Sequence, residues 1–552
     1  MPRSPILRGL FRNDPRARAA YSEGAGIHRI IPEAIARPAD IADLQALVRW
    51  AGDNATPLIP RGAGSSMAGA AIGDGIIVDL TAMEPRVLTI DPIARQAQSS
   101  GAVTVAELNS RAAEHGLRMP VEPSSSRWAT LAGVVGTNAA GARSLRLGSV
   151  RRWVRGLELV TSDGAIDRVA RDATERPASG IVSHFEREIA PGLRASGNLI
   201  GHTFPHTHKN SGGYALDAWL ESGQTVDLLV GSEGTLAFTT GIEWELAPIP
   251  PARSAVRVAL DDLATLGDAV SALLALDPSA IELLDRTFLD LVQQHRGSAA
   301  LPELSAGTEA ILLVEFEGTT SDAVRQSAQS AVTLVAPWSR DVSIALTPAE
   351  EEQLWHLRHA ASPILAGLSE RRRSVQVIED GCVPVARLGA YIEIVRAEAL
   401  ARGLQVVIFG HAGDGNIHVN LLPDLDRADW AQQLASLFEA VNAAVILLGG
   451  TVSGEHGVGR LRAGWMERQY GPEVVALFRR IKQGFDPRGI LNPGVILPDG
   501  APPIARLKFD PGAEPIPADI VRALRSIERD GGYALSRMTI ADQSADPHPA
   551  AS

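Results

Sequence analysis

Over the first 250 positions apolar residues come in short runs, broken by glycine and separated by stretches of helical spacing. Ile41, Leu44, Leu47 and Val48 share one helical face, and Asp40 stands where a side-chain oxygen can cap the first free amides, which predicts a helix over 39–51. Residues 57–60 and 76–80 read as short strands on either side of a glycine-rich run, 61–75. From residue 255 to about 440 the alternation lengthens, with helical stretches such as 263–276 taking turns with strands such as 310–317 and 374–378. Residues 451–497 are again rich in glycine. Beyond Pro498 the chain turns to proline and aspartate, with a helical pattern only around 520–527. These shifts predict an α+β chain in four parts: an irregular N-terminal arm with one or two short turns (1–34), a first domain (35–250), a second domain lying over it (251–498) and a C-terminal extension (499–552) whose last dozen residues read as disordered.

Composition narrows the class. With 552 residues, 45% hydrophobic and 21% charged, the chain can bury a sizeable core. A formal charge of −12 argues against nucleic acid as a partner, because such binding rests on a basic surface. Cys382 is the only cysteine, which excludes a disulfide within the chain and any four-cysteine zinc or iron–sulfur site. No apolar run reaches the roughly 20 residues of a membrane span, and the arginines of 1–18 lead into no apolar stretch of a secretory signal. The expectation is a cytoplasmic protein, with peripheral attachment at the inner face of the membrane left open.

Arg61-Gly62-Ala63-Gly64-Ser65-Ser66-Met67-Ala68-Gly69 lies between two strands, and glycines there let successive amides converge on an anion. Taken alone it is as readily a tight turn; it is neither a G-x-G-x-x-G opening a helix nor a Walker loop. Two further segments change its meaning. Glu122-Pro123-Ser124 leads into the small-residue run from Thr130 to Gly141, suited to lie flat against a planar ligand, and Val230-Gly231-Ser232-Glu233-Gly234-Thr235-Leu236 is another glycine–hydroxyl loop. In this order, across roughly residues 35–498, the chain resembles the FAD-binding flavoproteins of the vanillyl-alcohol oxidase/p-cresol methylhydroxylase superfamily. The resemblance implies a two-subdomain FAD-binding domain and an FAD-linked oxidase C-terminal domain. It assigns Arg61, Gly62, Ala63, Gly64, Ser65, Ser66 and Gly69 to the pyrophosphate. Pro123, Thr130, Gly133, Gly136, Asn138 and Gly141 are assigned to the flavin, as are Gly231, Glu233, Gly234, Thr235, Leu236 and Asn492. Ser65, Ser66 and Met67 stand where some members carry an attachment histidine, so FAD is expected to be non-covalent.

Residues 406–409 read as a strand delivering Gly410-His411-Ala412-Gly413-Asp414-Gly415-Asn416-Ile417-His418-Val419-Asn420; the glycines around Asp414 make a turn that can bring His411 and His418 together. Gly454-Glu455-His456-Gly457 adds a carboxylate and an imidazole. Two imidazoles and a carboxylate suit Zn²⁺, Mn²⁺ or Fe²⁺ better than Mg²⁺ or Ca²⁺, although any one of these histidines alone would as readily serve a turn. The two motifs resemble those of the D-2-hydroxyglutarate, flavin-type D-lactate and glycolate dehydrogenases. That resemblance implies His411, His418 and Glu455 as ligands of a divalent metal, zinc first, and His456 as the base that takes the hydroxyl proton while hydride passes to FAD. Asn420 would touch the substrate; Arg358 and Ser362 would bind its carboxylate, the arginine through its planar fork. One departure stands out: Ile378 occupies the place of the lysine that D-2-hydroxyglutarate dehydrogenases use for substrate. His202, His206 and His208 read as a polar surface loop rather than a second metal site.

The substrate implied is thus a small D-2-hydroxy acid. Residues 507–539 faintly resemble a connector to an iron–sulfur module whose cysteines are missing, so the electron acceptor is expected to be a separate iron–sulfur subunit, a quinone or a cytochrome, with a homodimer also open. An oxidase passing electrons to O₂, and a non-redox flavin transferase similar to alkylglycerone-phosphate synthase, are the alternatives.

Overall fold

The computed structural model of the chain describes residues 4–172, 180–296, 305, 307–345, 347–368, 373–510, 512–533 and 536–542. Among the described residues three large sheets carry it, beside a two-stranded pairing of Leu117–Arg118 with Ala247–Pro248. In the first, the wholly buried strand Ile76–Asp79 runs parallel to Ala34–Arg37 and to Leu58–Arg61, and Leu10–Arg12 pairs antiparallel on the outer edge of Ala34–Arg37. The helix Ile41–Asp53 packs beside this sheet, capped as expected by the Asp40 side chain, which accepts from the Asp43 amide.

The second sheet is antiparallel, in the order Leu88–Asp91, Gln96–Ser100, Phe238–Glu245, Val154–Val160, Ile166–Ala170. Phe238–Glu245 alternates buried and half-exposed positions because one of its faces meets the core. The third sheet orders Val342–Ala345, Ala252–Leu260, Ala310–Gly318, Ala280–Asp285, Gln405–His411, Asn416–Leu422 and Gly381–Cys382, all antiparallel. Its central strands are buried at nearly every position because both faces are covered, so the few charged residues on them, such as Glu282 and Glu315, are buried too. Leu312 and Val314 join the large core that also holds the second sheet; Ile311 and Leu313 face a smaller core under the helices Arg286–Arg296 and Pro348–His359.

Three expectations need correction. Residues 4–34 are no irregular arm: Leu10–Arg12 is an edge strand, and the helix Pro15–Ala20, capped by Asp14, packs against the C-terminal helices Ala518–Asp530 and Arg537–Asp542. Elements this short, stabilised by partners about 500 residues away, leave no periodic signature of their own. Residues 374–378 form no strand beyond one bridge, Val375 with Leu421, because the backbone bends away at 377–378; Ser374 and Gln376 donate to Asn420 Oδ1. The glycine-rich reading of 451–497 hid the helix Met466–Phe485, broken where Gly471 (φ +73°) precedes Pro472. The stretch 263–276 is helical as expected, a 3₁₀ turn, Leu263–Thr265, leading into the helix Leu266–Leu274. After the long helix the chain returns to the first sheet, where the Leu58 amide donates to the Ile490 carbonyl and the Asn492 amide to that of Leu58. Residues 543–552 of the tail expected to be disordered lie outside the described residues, and among the described ones no helix is long and apolar enough to cross a membrane.

Candidate active site

A cavity of about 1270 Å³ opens between the glycine loops of the first half and the third sheet. Gly62, Ala63, Gly64, Ser65 and Ser66 line it, as do Pro123, Thr130, Gly133, Gly136 and Gly141, and Glu233 with Gly234. The Ser66 hydroxyl oxygen is buried and has no hydrogen-bond partner, a donor free for a ligand. Together with the exposed glycine backbone it fits a dinucleotide. Arg61 also borders the cavity, but its guanidinium donates to the carbonyls of Tyr21, Glu23 and Ala71, holding the loop rather than an anion.

The remaining residues expected at the cofactor stand behind this wall. Asn492 donates to the carbonyls of Ala70 and Glu233, tying two loops together, and Asn138 ends a helix in the left-handed conformation while accepting from the Arg151 amide. Thr235 bonds Tyr214 and the Ser232 carbonyl, Leu236 is core, and Gly69 and Gly231 pack against His28 and Arg151. The Glu233 carboxylate accepts from the amides of Val458 and Gly459; burial raises its pKa to about 7 against those bonds.

On the opposite wall the hairpin Gln405–His411 and Asn416–Leu422 carries both histidines. Its turn is closed by Gly415 (φ +73°), where a Cβ would fall 1.9 Å from the Val383 carbonyl oxygen. The Glu455 Oε1 lies 3.2 Å from His411 Nε2 and 3.3 Å from His418 Nε2. Each of the three has a partner on its far side. His411 Nδ1 is 2.6 Å from Glu282 Oε1, His418 Nδ1 donates to the Glu379 carbonyl at 2.7 Å, and Lys209 Nζ donates to Glu455 Oε2 at 2.6 Å. Because a carbonyl only accepts, the proton of neutral His418 sits on Nδ1 and the Nε2 lone pair faces Glu455. These three ligand atoms lie within 4.8 Å of one another, and with their outer partners they fit a divalent cation.

His456 lies against this group, its ring stacked on His418 at 5.1 Å, and its Nδ1 is 2.5 Å from Glu379 Oε2. Asp380 shapes the loop beneath: its carboxylate accepts from the amides of Glu455 and His456 and from the Ser453 hydroxyl. Burial lowers the pKa of His418, whereas on Glu282, Glu379 and Glu455 burial opposes the charge and pairing outweighs it. His411 and Arg358 hold Glu282 at about 2, Arg462 and His456 hold Glu379 at about 2, and Lys209 with His411 holds Glu455 well below the carboxylate range. Burial likewise opposes a second proton on His456, but Glu379 and Asp380 raise its pKa to about 9.

Arg358 borders the cavity, its Nε donating to Glu282 at 2.5 Å and its guanidinium 5.0 Å above the Phe409 ring. Asn420 also borders it; Ser374 and Gln376 donate to its Oδ1, and its buried Nδ2 has no partner. The Ser362 side chain lies outside what is described. His202, His206 and His208 are exposed, with His208 3.5 Å from Asp414, and no metal-competent cluster forms there among the described residues. Sequence reading missed Glu282, Glu379, Asp380 and Lys209. Acids inside all-buried stretches, such as Glu282 in Ala280–Asp285, were the available signal, since a buried charge needs a partner.

With this geometry in view, the chain matches the FAD binding domain family over residues 32–170 and the C-terminal domain of FAD linked oxidases over 249–496. It is 30% identical to a D-lactate dehydrogenase of Archaeoglobus fulgidus, covering 84% of this chain and 91% of that one. It is 26% identical to the GlcD subunit of glycolate oxidase from Bacillus subtilis, over 88% and 93%. In fold it resembles p-cresol methylhydroxylase, with a TM-score of 0.64 at 15% identity over 88% of this chain and 94% of the other. Both halves of the chain being matched, and the first of these relatives being aligned along nearly its whole length, the protein belongs to the FAD-linked oxidoreductase family that joins a p-cresol methylhydroxylase-type FAD-binding domain to an FAD-linked oxidase C-terminal domain.

Proposed function

We propose that this FAD enzyme oxidises a small D-2-hydroxy acid, of the D-lactate or D-2-hydroxyglutarate type, to the 2-oxo acid, with a divalent cation, zinc by the donor set, held by His411, His418 and Glu455. One observation carries the reading: those three ligand atoms and His456 converge on the wall of the same cavity that the glycine loops line. When bound, FAD supplies the hydride acceptor, and the cation supplies Lewis acidity toward the substrate oxygens and a positive charge that favours neutral His456.

The protein's own residues do the rest. Asn420, its Oδ1 held by Ser374 and Gln376, offers Nδ2 to a substrate oxygen, and Arg358 offers the guanidinium edge that Glu282 leaves free. His456 takes the hydroxyl proton at Nε2, while Glu379 holds Nδ1 and stabilises the imidazolium so formed. Ile378, buried and apolar, gives a second substrate carboxylate no lysine at that place, which favours a monocarboxylate such as D-lactate. Similarity to a subunit of glycolate oxidase supports a separate redox partner as the acceptor of electrons from FAD.

The test is anaerobic mixing of the purified yellow protein with D- and L-2-hydroxy acids, with and without chelator. Flavin bleaching by D isomers, slowed by chelator, is expected. Failure of every D-2-hydroxy acid to bleach it would overturn the reading, and indifference to chelator would remove the metal.

A further inference from the structure

Lys209 takes no part in the reaction as described, yet it is a lysine only 5% exposed. It comes from the flavin half of the chain, whereas the three candidate ligands belong to the third sheet and to the loop 453–456. Its Nζ sits 2.6 Å from Glu455 Oε2 and 3.5 Å from Asp414 Oδ2. Asp414 is itself anchored by the Ser144 hydroxyl at 2.8 Å. A buried ammonium must keep carboxylate partners, so it cannot swing away from these two.

The consequence lies in how the two oxygens of Glu455 are divided. Oε1 faces both imidazoles, at 3.2 and 3.3 Å, while Oε2 is engaged by the ammonium. We propose that Lys209 restricts Glu455 to one-oxygen ligation, and so reserves coordination positions on the cation for the hydroxyl and carboxylate oxygens of the substrate. This rests on the metal-assisted reading above. A carboxylate free to chelate through both oxygens would occupy a position that a 2-hydroxy acid needs. Lys209 is in this sense a positioning residue, acting on substrate through Glu455 and the cation.

A purely structural ion pair, joining the two halves of the chain, would affect stability alone. A residue that merely orients a ligand would, on removal, cost roughly 10–100-fold in metal affinity. The inference makes a different demand. Removing the ammonium frees the second oxygen and takes away a positive charge beside the cation, so zinc binds no more weakly while a chelating substrate analogue binds less well.

The experiment uses the flavin-loaded full chain, as wild type, Lys209→Met and Lys209→Gln. Zinc affinity is measured by competition with a chelator, and oxalate binding to the zinc-loaded proteins by calorimetry. Expected are zinc affinity equal to or above that of wild type and oxalate affinity lowered about tenfold or more, within the range by which such outer partners act. Unchanged oxalate affinity, or zinc affinity lowered in the manner of an orienting residue, overturns the inference. If neither variant folds, the X-ray absorption spectrum of zinc-loaded wild type decides: ligands at about 2.0–2.2 Å without a chelating carboxylate support it, and a chelating carboxylate overturns it. Failure of wild type to bind zinc at all sinks both this and the metal-assisted reading, whereas failure of the oxalate comparison alone leaves that reading standing.

Discussion

Along the wall made by residues 62–66 and 123–141, the cavity is bounded largely by backbone and small side chains, several of them glycine. Along the wall made by His411, His418, Glu455 and His456, it is bounded by ionisable side chains, three of them held by another behind it and His418 by the Glu379 carbonyl. The two walls suit different kinds of ligand for that reason. Backbone donors accommodate a large cofactor at many weak points, so losing one matters little. The paired side chains concentrate charge at one point, and removing a partner leaves a buried charge uncompensated, a cost of roughly 3–5 kcal/mol.

The sharpest way to separate the walls is His456→Ala. Loss of a general base lowers the rate by about 10²–10⁴. Flavin reduction by a D-2-hydroxy acid, followed by stopped flow, is expected to slow by that amount while FAD content stays at the wild-type level. Reduction at the wild-type rate would remove His456 from the reaction and leave the side-chain wall without a proton acceptor.

The same contrast explains what could be read from the sequence. The glycine loops are contiguous, so Gly62 to Ser66 and Gly133 to Gly141 announce themselves in order, and the hairpin that joins His411 to His418 follows from the glycines around Asp414. Glu282, Glu379 and Lys209 meet the site from distant places, and nothing local marks Lys209 as buried: it follows three exposed histidines. Asn492 and Asn138 illustrate the reverse case. They lie in motifs that border the cofactor cavity, but their side chains hold loops together behind it. Motif membership located the segment, and only packing tells which side of it faces in.

Acid–base stability distinguishes the walls by sign. In the side-chain wall Glu282 and Glu379 are depressed to about 2, so each contributes stability that is present above the unfolded pKa, about 4.5, and is lost as pH falls through 2. In the flavin wall Glu233 is raised to about 7, so its contribution is full below 4.5 and is lost as pH rises through 7. Each amounts to roughly 3 kcal/mol at the order-of-magnitude level. Thermal unfolding of metal-free protein against pH is expected to show a shallower acid limb in Glu282→Gln and a flatter neutral limb in Glu233→Gln. Unaltered slopes in both variants would mean that these carboxylates are not the groups that couple folding to protons.

The smallest expected effect tests the backbone wall at its one unpartnered hydroxyl. Ser66 Oγ is buried without a hydrogen bond to the protein, a position that costs desolvation unless a ligand supplies the partner. Ser66→Ala therefore removes an unsatisfied group, and the apo protein is expected to unfold at the same temperature or slightly higher. With FAD bound the hydroxyl has a ligand oxygen to donate to, so the same substitution is expected to weaken FAD by about 1 kcal/mol, roughly fivefold in Kd. Zinc affinity, set on the opposite wall, should not move. The opposite signs are what make the test informative: a variant that lost apo stability and FAD affinity together would mark Ser66 as part of the loop's own scaffold, and the backbone wall would then have to bind its dinucleotide without that side-chain donor.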